Sequence, residues 1–145
     1  MSSNAFRTDL ALLLFNNTAI ANIGNVAGLQ PSGVAGSLFV ALHTADPTLA
    51  GAQNASEATF GAYARQAVAR SSAGWTVSGN NASNTDIISF PEATSGSETI
   101  THFSVGYEVS GATKIIASAA LDNSRAVSTG ITLSFAIGDL DVNVT

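Results

Sequence analysis

The chain of 145 residues contains no cysteine, only three prolines and one lysine. Without cysteine there is no disulfide framework, zinc knuckle or thiol chemistry. Charged residues make up 10% of the sequence, far below the roughly 25% of an ordinary soluble domain. Five cations against ten carboxylates leave a net charge of −5, and the cations are dispersed. They form no phosphate-neutralising stripe, which argues against a nucleic-acid partner. No apolar run approaches the 18 residues a membrane helix needs, so no membrane partner is expected. A secretory leader is also not expected. The apolar run Leu10–Phe15 is short, and Asp9 offsets Arg7.

What fills the sequence instead is small and neutral. Hydrophobic residues reach 46%, but alanine supplies 25 of them, beside much Ser, Thr, Asn and Gly. A solvated helical bundle needs Lys and Glu on its outer faces. Short strands joined by small-residue turns do not. The length suits one domain, 1–145, with residues 1–18 as an N-terminal helix, 19–36 as a linker and 37–145 as a β-sandwich.

The helix is expected to be capped by Thr8, with Asp9 in its first turn. Phe6, Leu10, Leu13 and Leu14 fall at helical spacing, Leu12 and Phe15 widen that stripe, and Asn16-Asn17-Thr18 stops it. The stripe offers either a packing face for its own domain or an arm for a partner. Residues 19–36 are small and nearly uncharged, with Gly24, Gly28, Pro31, Gly33 and Gly36 breaking regular structure.

From Ser37 the period becomes two. Leu38, Val40 and Leu42 alternate with Phe39, Ala41 and His43. Asp46-Pro47 turns the chain. Further alternation is read at Ala62–Arg70, where Tyr63 and Arg65 share a face, then at Trp75–Ser78, Asp86–Phe90, Thr99–Tyr107, Lys114–Leu121, Ile131–Phe135 and Leu140–Val144. Gly79-Asn80-Asn81 and Asp122-Asn123-Ser124 read as turns. About eight strands at intervals of roughly ten residues predict an antiparallel sandwich, with a jelly roll as the specific form.

No constellation of catalytic residues emerges. His43 and His102 lie in alternating strands beside Leu42 and Phe103, as packing residues do. They are 59 positions apart and show no metal-ligand spacing. No nucleophile elbow is present. Asp139 and Asp141 read as an acidic terminal strand, and the lone Trp75 as core. No enzyme activity, cofactor or metal is expected.

Several segments resemble, in order, a family of small tailed-phage structural proteins. The most specific is Leu38-Phe39-Val40-Ala41-Leu42-His43-Thr44-Ala45-Asp46-Pro47. Gly61-Ala62-Tyr63-Ala64-Arg65 is similar to a G-Y-A-R strand with one inserted alanine. Trp75-Thr76-Val77-Ser78-Gly79, the asparagines 80, 81 and 84, Phe90-Pro91, Thr101–Gly106 and Ser134–Gly138 follow. The likeness spans roughly Ala5 to Val142. The Ala19–Gly36 stretch departs from it, since the helix of relatives runs more directly into the first strand.

Members of this family are often labelled tail fibre proteins, and some serve as capsid cement (decoration) proteins with a jelly-roll fold. The resemblance implies a virion protein, made in the host cytoplasm, that binds the major capsid protein on the outer capsid surface and itself as a dimer or trimer. The negative charge favours that outer position over one facing DNA. The alternative is a tail or fibre component that binds a host receptor or glycan. Leu42, His43, Thr44, Asp46, Pro47, Tyr63 and Arg65 carry the family signature in a structural role. Leu10, Leu13, Leu14, Arg65 and Arg70 are candidate partner contacts.

Overall fold

The computed structural model describes residues 1–48 and 51–145. Among them are one helix, α1 (Asn4–Asn16), and nine strands. The strands are β1 (Ser37–His43), β2 (Gln66–Ala69), β3 (Trp75–Ser78), β4 (Asn81–Asn84), β5 (Ile88–Ser89), β6 (Ser97–Gly106), β7 (Ile115–Ser128), β8 (Ser134–Phe135) and β9 (Asp141–Asn143). The fold is mainly β, and every strand pairing is antiparallel. The sheets run β2-β1-β6-β7, β3-β4-β9 and β5-β8. The strands thus divide four, three and two, where a jelly roll suggests two sheets of about four.

The helix begins earlier than its composition suggests. Ser3, not Thr8, is the cap, and its hydroxyl accepts from Phe6 N at 3.2 Å. Thr8 lies inside the helix and returns its hydroxyl to Asn4 O. Asn17 closes the last turn in the left-handed region, φ 53°. The buried face is Ala11 and Phe15, so the stripe is rotated from the one expected: Leu10, Leu13 and Leu14 are half-buried and Phe6 is exposed. Phe15 meets Trp75 edge to face, with ring centroids 5.0 Å apart. This contact fixes α1 on β3 and β4 of its own domain.

Residues 19–36 fold back on themselves. Ile20 and Leu29 exchange both backbone bonds at 2.9 Å. Asn25 Oδ1 accepts from Ala27 N and Gly28 N, and Asn17 and Ser32 exchange two further bonds at 2.9 Å.

Two turn assignments change. Asn81–Asn84 is a strand, and the turn before it is only Gly79-Asn80. Buried Asn84 makes this possible. Its amide donates to Asp86 O and Ala136 O, and its carbonyl accepts from Leu140 N. Asp122-Asn123-Ser124 is also no turn: β7 carries it as a bulge between Ala120, opposite His102, and Arg125, opposite Ile100. Beyond a register shift, Ser97–Ile100 of β6 continue to pair with Arg125–Ser128. Conversely, the strand expected over Ala62–Arg70 shrinks to Gln66–Ala69. Ala62 sits at φ 70°, a conformation no strand continues through.

The core gathers Leu38, Val40 and Leu42 from β1, Ile100, Phe103 and Val105 from β6, and Trp75, Phe90, Phe135, Leu140 and Val142 from the rest. Leu42 lies opposite Phe103, and Val40 opposite Val105. The other face of β1 and β6 carries Ala41, His43, His102, Ser104 and Gly106. That face is covered by the loop between β1 and β2.

Candidate functional site

The signature residues converge on this covering loop. The chain leaves β1 at His43. Thr44 N then bonds Ser56 O at 2.9 Å, and its hydroxyl reaches the same oxygen at 3.3 Å. Asp46 Oδ1 accepts from Thr48 N at 2.8 Å, the Asx turn that Asp-Pro chemistry favours, and Pro47 is buried. The loop returns over the strand, where Ala58 N donates to Leu42 O.

His43 is fully buried and uses both ring nitrogens. Nδ1 lies 2.9 Å from Ala55 O and Nε2 lies 2.7 Å from Ser104 Oγ. A carbonyl oxygen only accepts, so the proton resides on Nδ1 and Nε2 accepts from the serine. Burial pushes its pKa below the usual histidine value, and Arg65 and His102 push the same way; the Ala55 bond and Glu57 oppose them. The imidazole is neutral. Ser104 is as deeply buried as its partner, so this pair is sealed from any substrate.

Arg65 is the centre of the second cluster. Its side chain is 1% exposed. Nε donates to Glu57 Oε1 at 2.7 Å and Nη2 to Glu57 Oε2 at 2.8 Å, a two-pronged grip. Nη2 also reaches Gly111 O at 2.7 Å. Nη1 reaches Gln53 Oε1 and Glu108 O at 3.0 Å and Thr113 Oγ1 at 3.3 Å. All five N–H donors are occupied. The Glu57 bond holds Arg65 above the usual arginine range.

Tyr63 donates to Glu57 Oε1 at 2.9 Å and accepts from Leu42 N at 3.0 Å. Burial pushes its phenol well up. Tyr63 and Arg65 therefore lie ahead of β2 rather than on its face, and both turn toward the same carboxylate. Gln53 completes the cluster by donating to Phe39 O at 2.8 Å. It packs flat over Gly106, where any side chain would collide with it. Glu98 supplies a second anchor, accepting from Thr59 N, Thr59 Oγ1 and Phe60 N.

Gln53, Glu57 and Ser104 are central here, yet no spacing rule singles them out. Glu57 is one of ten carboxylates, and only the fold brings it to Arg65. Arg70 takes a different place. Its guanidinium caps the C-terminus of α1, donating to Leu14 O at 2.7 Å, Leu13 O at 2.6 Å and Ser32 Oγ at 3.0 Å. Leu13 and Leu14 thus meet Arg70 through their carbonyls, while Leu10 lies a turn earlier.

The arrangement clamps three chain segments together and leaves no activated nucleophile or open donor set. Among the described residues, no group of His, Asp and Glu is placed to hold a metal ion, and no helix is long and apolar enough to cross a membrane.

The family model for the podophage GP4 fiber I protein gp80 matches residues 14–143. The chain belongs to this family. The match of this fibre I family chain takes in the end of α1, the signature loop and all nine strands. It makes the chain a phage structural protein of fibre type. No curated protein matches it.

Proposed function

We propose that this fibre I family chain is a non-catalytic building block of the phage particle, working as a fibre-type module at the tail. The observation that carries this is the extent of the family match, from residue 14 to 143, which is almost the whole folded domain. The described residues form one 13-residue helix and nine short strands, which this reading takes as one unit of a larger assembly. Its polar clusters are spent on internal clamps, which suits a part that must hold its shape under load. A host receptor or glycan, or another tail protein, is the partner class this reading implies.

A second reading keeps the role of capsid cement. It is favoured by the Leu38–Pro47 signature and by the small, self-contained, acidic domain. In that reading the module binds the major capsid protein on the outer shell as a dimer or trimer, many modest contacts adding by avidity.

Gold-labelled antibody on purified particles separates the two. Label at the tail, in a few copies per particle, is the expected result. Label spread over the shell, with saturable binding of the purified chain to expanded shells that lack it, overturns the fibre reading in favour of cement. Absence of the chain from purified particles overturns both.

A further inference from the structure

β7 is the longest strand among the described residues and an outer strand of the four-stranded sheet, so one edge of its 14 residues has no strand beside it. Such an edge is normally guarded by charge, proline or a bulge. In β7 the guards sit at the ends. Lys114 precedes the strand, a register shift falls at Ile116, and the Asp122–Ser124 bulge follows Leu121. Between the two guarded ends, Ile115-Ile116-Ala117-Ser118-Ala119-Ala120-Leu121 carries no charge, proline or glycine. The ladders fix which backbone groups point outward. Leu42 N is bonded to Tyr63 Oη and Leu42 O to Ala58 N, so Leu42 turns away from β6. Its opposite residue Phe103 then turns toward β7, where it faces Ala119. Alternation leaves the N–H and C=O of Ser118 and Ala120 facing out. Among the described residues, no backbone group bonds them from that side.

The segment is also its own complement. A closed pair of identical chains needs a patch that matches itself across a two-fold axis. With the axis at Ser118, antiparallel pairing sets Ser118 against its own copy, Ala117 against Ala119, Ile116 against Ala120 and Ile115 against Leu121. Small residues flank the axis, and the larger aliphatic ones lie outside them. One step further, Lys114 of one copy comes opposite Asp122 of the other, and the symmetry makes this contact twice. The long lysine side chain absorbs the shift at Ile116. Lys114 and Asp122 are both exposed, and neither makes an ion pair within the described residues.

We infer that the free edge of β7 pairs with the same edge of a second copy, in an antiparallel two-fold dimer centred on Ser118. Ser118 and its counterpart exchange both backbone bonds at the axis. The two four-stranded sheets then run on as one continuous sheet. Ala117, Ala119 and Leu121, half-buried against the core, lose much of their remaining exposure. A different protein adding to this edge needs neither the self-matching order nor the Lys114–Asp122 pairing, and both are present. The inference is independent of whether the chain sits at the tail or on the shell.

The chain has no cysteine, so Ser118→Cys places a single thiol at the proposed axis. Residues paired in this way hold their Cα atoms about 5.5 Å apart, within disulfide reach. Under copper-phenanthroline and air, the expected result is a disulfide-linked dimer from Ser118→Cys and none from Thr129→Cys, an exposed position beyond the end of β7. Sedimentation equilibrium of the purified parent chain shows a monomer–dimer equilibrium. Lys114→Glu or Asp122→Lys alone weakens the dimer about tenfold, because the symmetry turns two opposite-charge contacts into two like-charge ones. The double reversal restores it. Both residues are exposed, so the circular dichroism spectrum of each variant matches that of the parent. A parent chain that is monomeric at every concentration overturns the inference. So does a trimer, a dimer indifferent to the single reversals, or a Ser118→Cys chain that links no faster than Thr129→Cys.

Discussion

Arg65 and Glu57 are joined by two hydrogen bonds, 2.7 and 2.8 Å, although they stand eight positions apart in a loop with no regular structure between. The guanidinium is buried against a half-buried carboxylate, and the rest of it is spent on Gln53, Thr113 and the backbone oxygens of Glu108 and Gly111. One side chain thereby fixes both the loop after β1 and the β6–β7 connection.

Removing one partner of that pair strands the other. Glu57→Ala leaves a buried guanidinium without its carboxylate, and a loss of about 3–5 kcal/mol is expected. Arg65→Lys recovers little of the loss from Arg65→Ala, because an ammonium cannot reproduce the planar fork. Urea unfolding of the purified variants measures both. A Glu57→Ala protein as stable as the parent contradicts the assignment.

His43 makes the protein acid-sensitive. Its pKa is lowered in the folded state, so the unfolded chain binds the proton more readily. The stability contribution is fully present above the unfolded value of about 6.5 and is lost as pH falls from there toward the folded pKa. The slope is at most about 1.4 kcal/mol per pH unit for this one proton. The charged and titratable groups around it are Glu57, Arg65 and His102. Denaturant midpoints between pH 7.5 and 5 report the slope, and His43→Asn flattens it. Identical slopes in both proteins count against the assignment.

The helix is held chiefly by one aromatic contact. Phe15→Ala removes the ring that meets Trp75 at 5.0 Å, with an expected cost of about 3–5 kcal/mol. Residues 1–36 then become the first target of a protease, seen as an early loss of that segment on limited digestion. Leu10→Ala, on the half-buried side, costs less than Phe15→Ala.

Arg70 closes the same helix from its C-terminal end. Arg70→Gln loses charged bonds to Leu13 O and Leu14 O, and a cost of about 1.5–3 kcal/mol is expected. The loss adds less than fully to that of Phe15→Ala, because both changes release one element. A double-mutant cycle by chemical denaturation measures the shortfall.

Much of the architecture was written in local pattern. The alternation Leu38-Val40-Leu42 against Ala41 and His43 defined β1 and its buried face, since side chains on a strand alternate by necessity. Asp46-Pro47 announced its turn. The empty search for catalytic spacing also came from residue types alone. Small-residue composition and period-two alternation together indicated the mainly β class that the structure has.

Other features depended on the folded molecule. Asn81–Asn84 has the composition of a turn and becomes a strand because buried Asn84 finds backbone partners at Asp86, two residues on, and at Ala136 and Leu140, far along the chain. Asp122–Ser124 lie in a bulge of β7 rather than ending it, because Ser97–Ile100 of β6 go on pairing beyond them. The buried helix face is rotated to Ala11 and Phe15 because Trp75 stands there to receive it. Glu57, Gln53 and Ser104 gain their roles from distance in space, which sequence spacing does not encode. The sequence determined most of the alternating segments and the bend at Asp46-Pro47. Tertiary structure decided which polar groups would meet, because a buried charge or amide is tolerated only where the whole fold brings it partners.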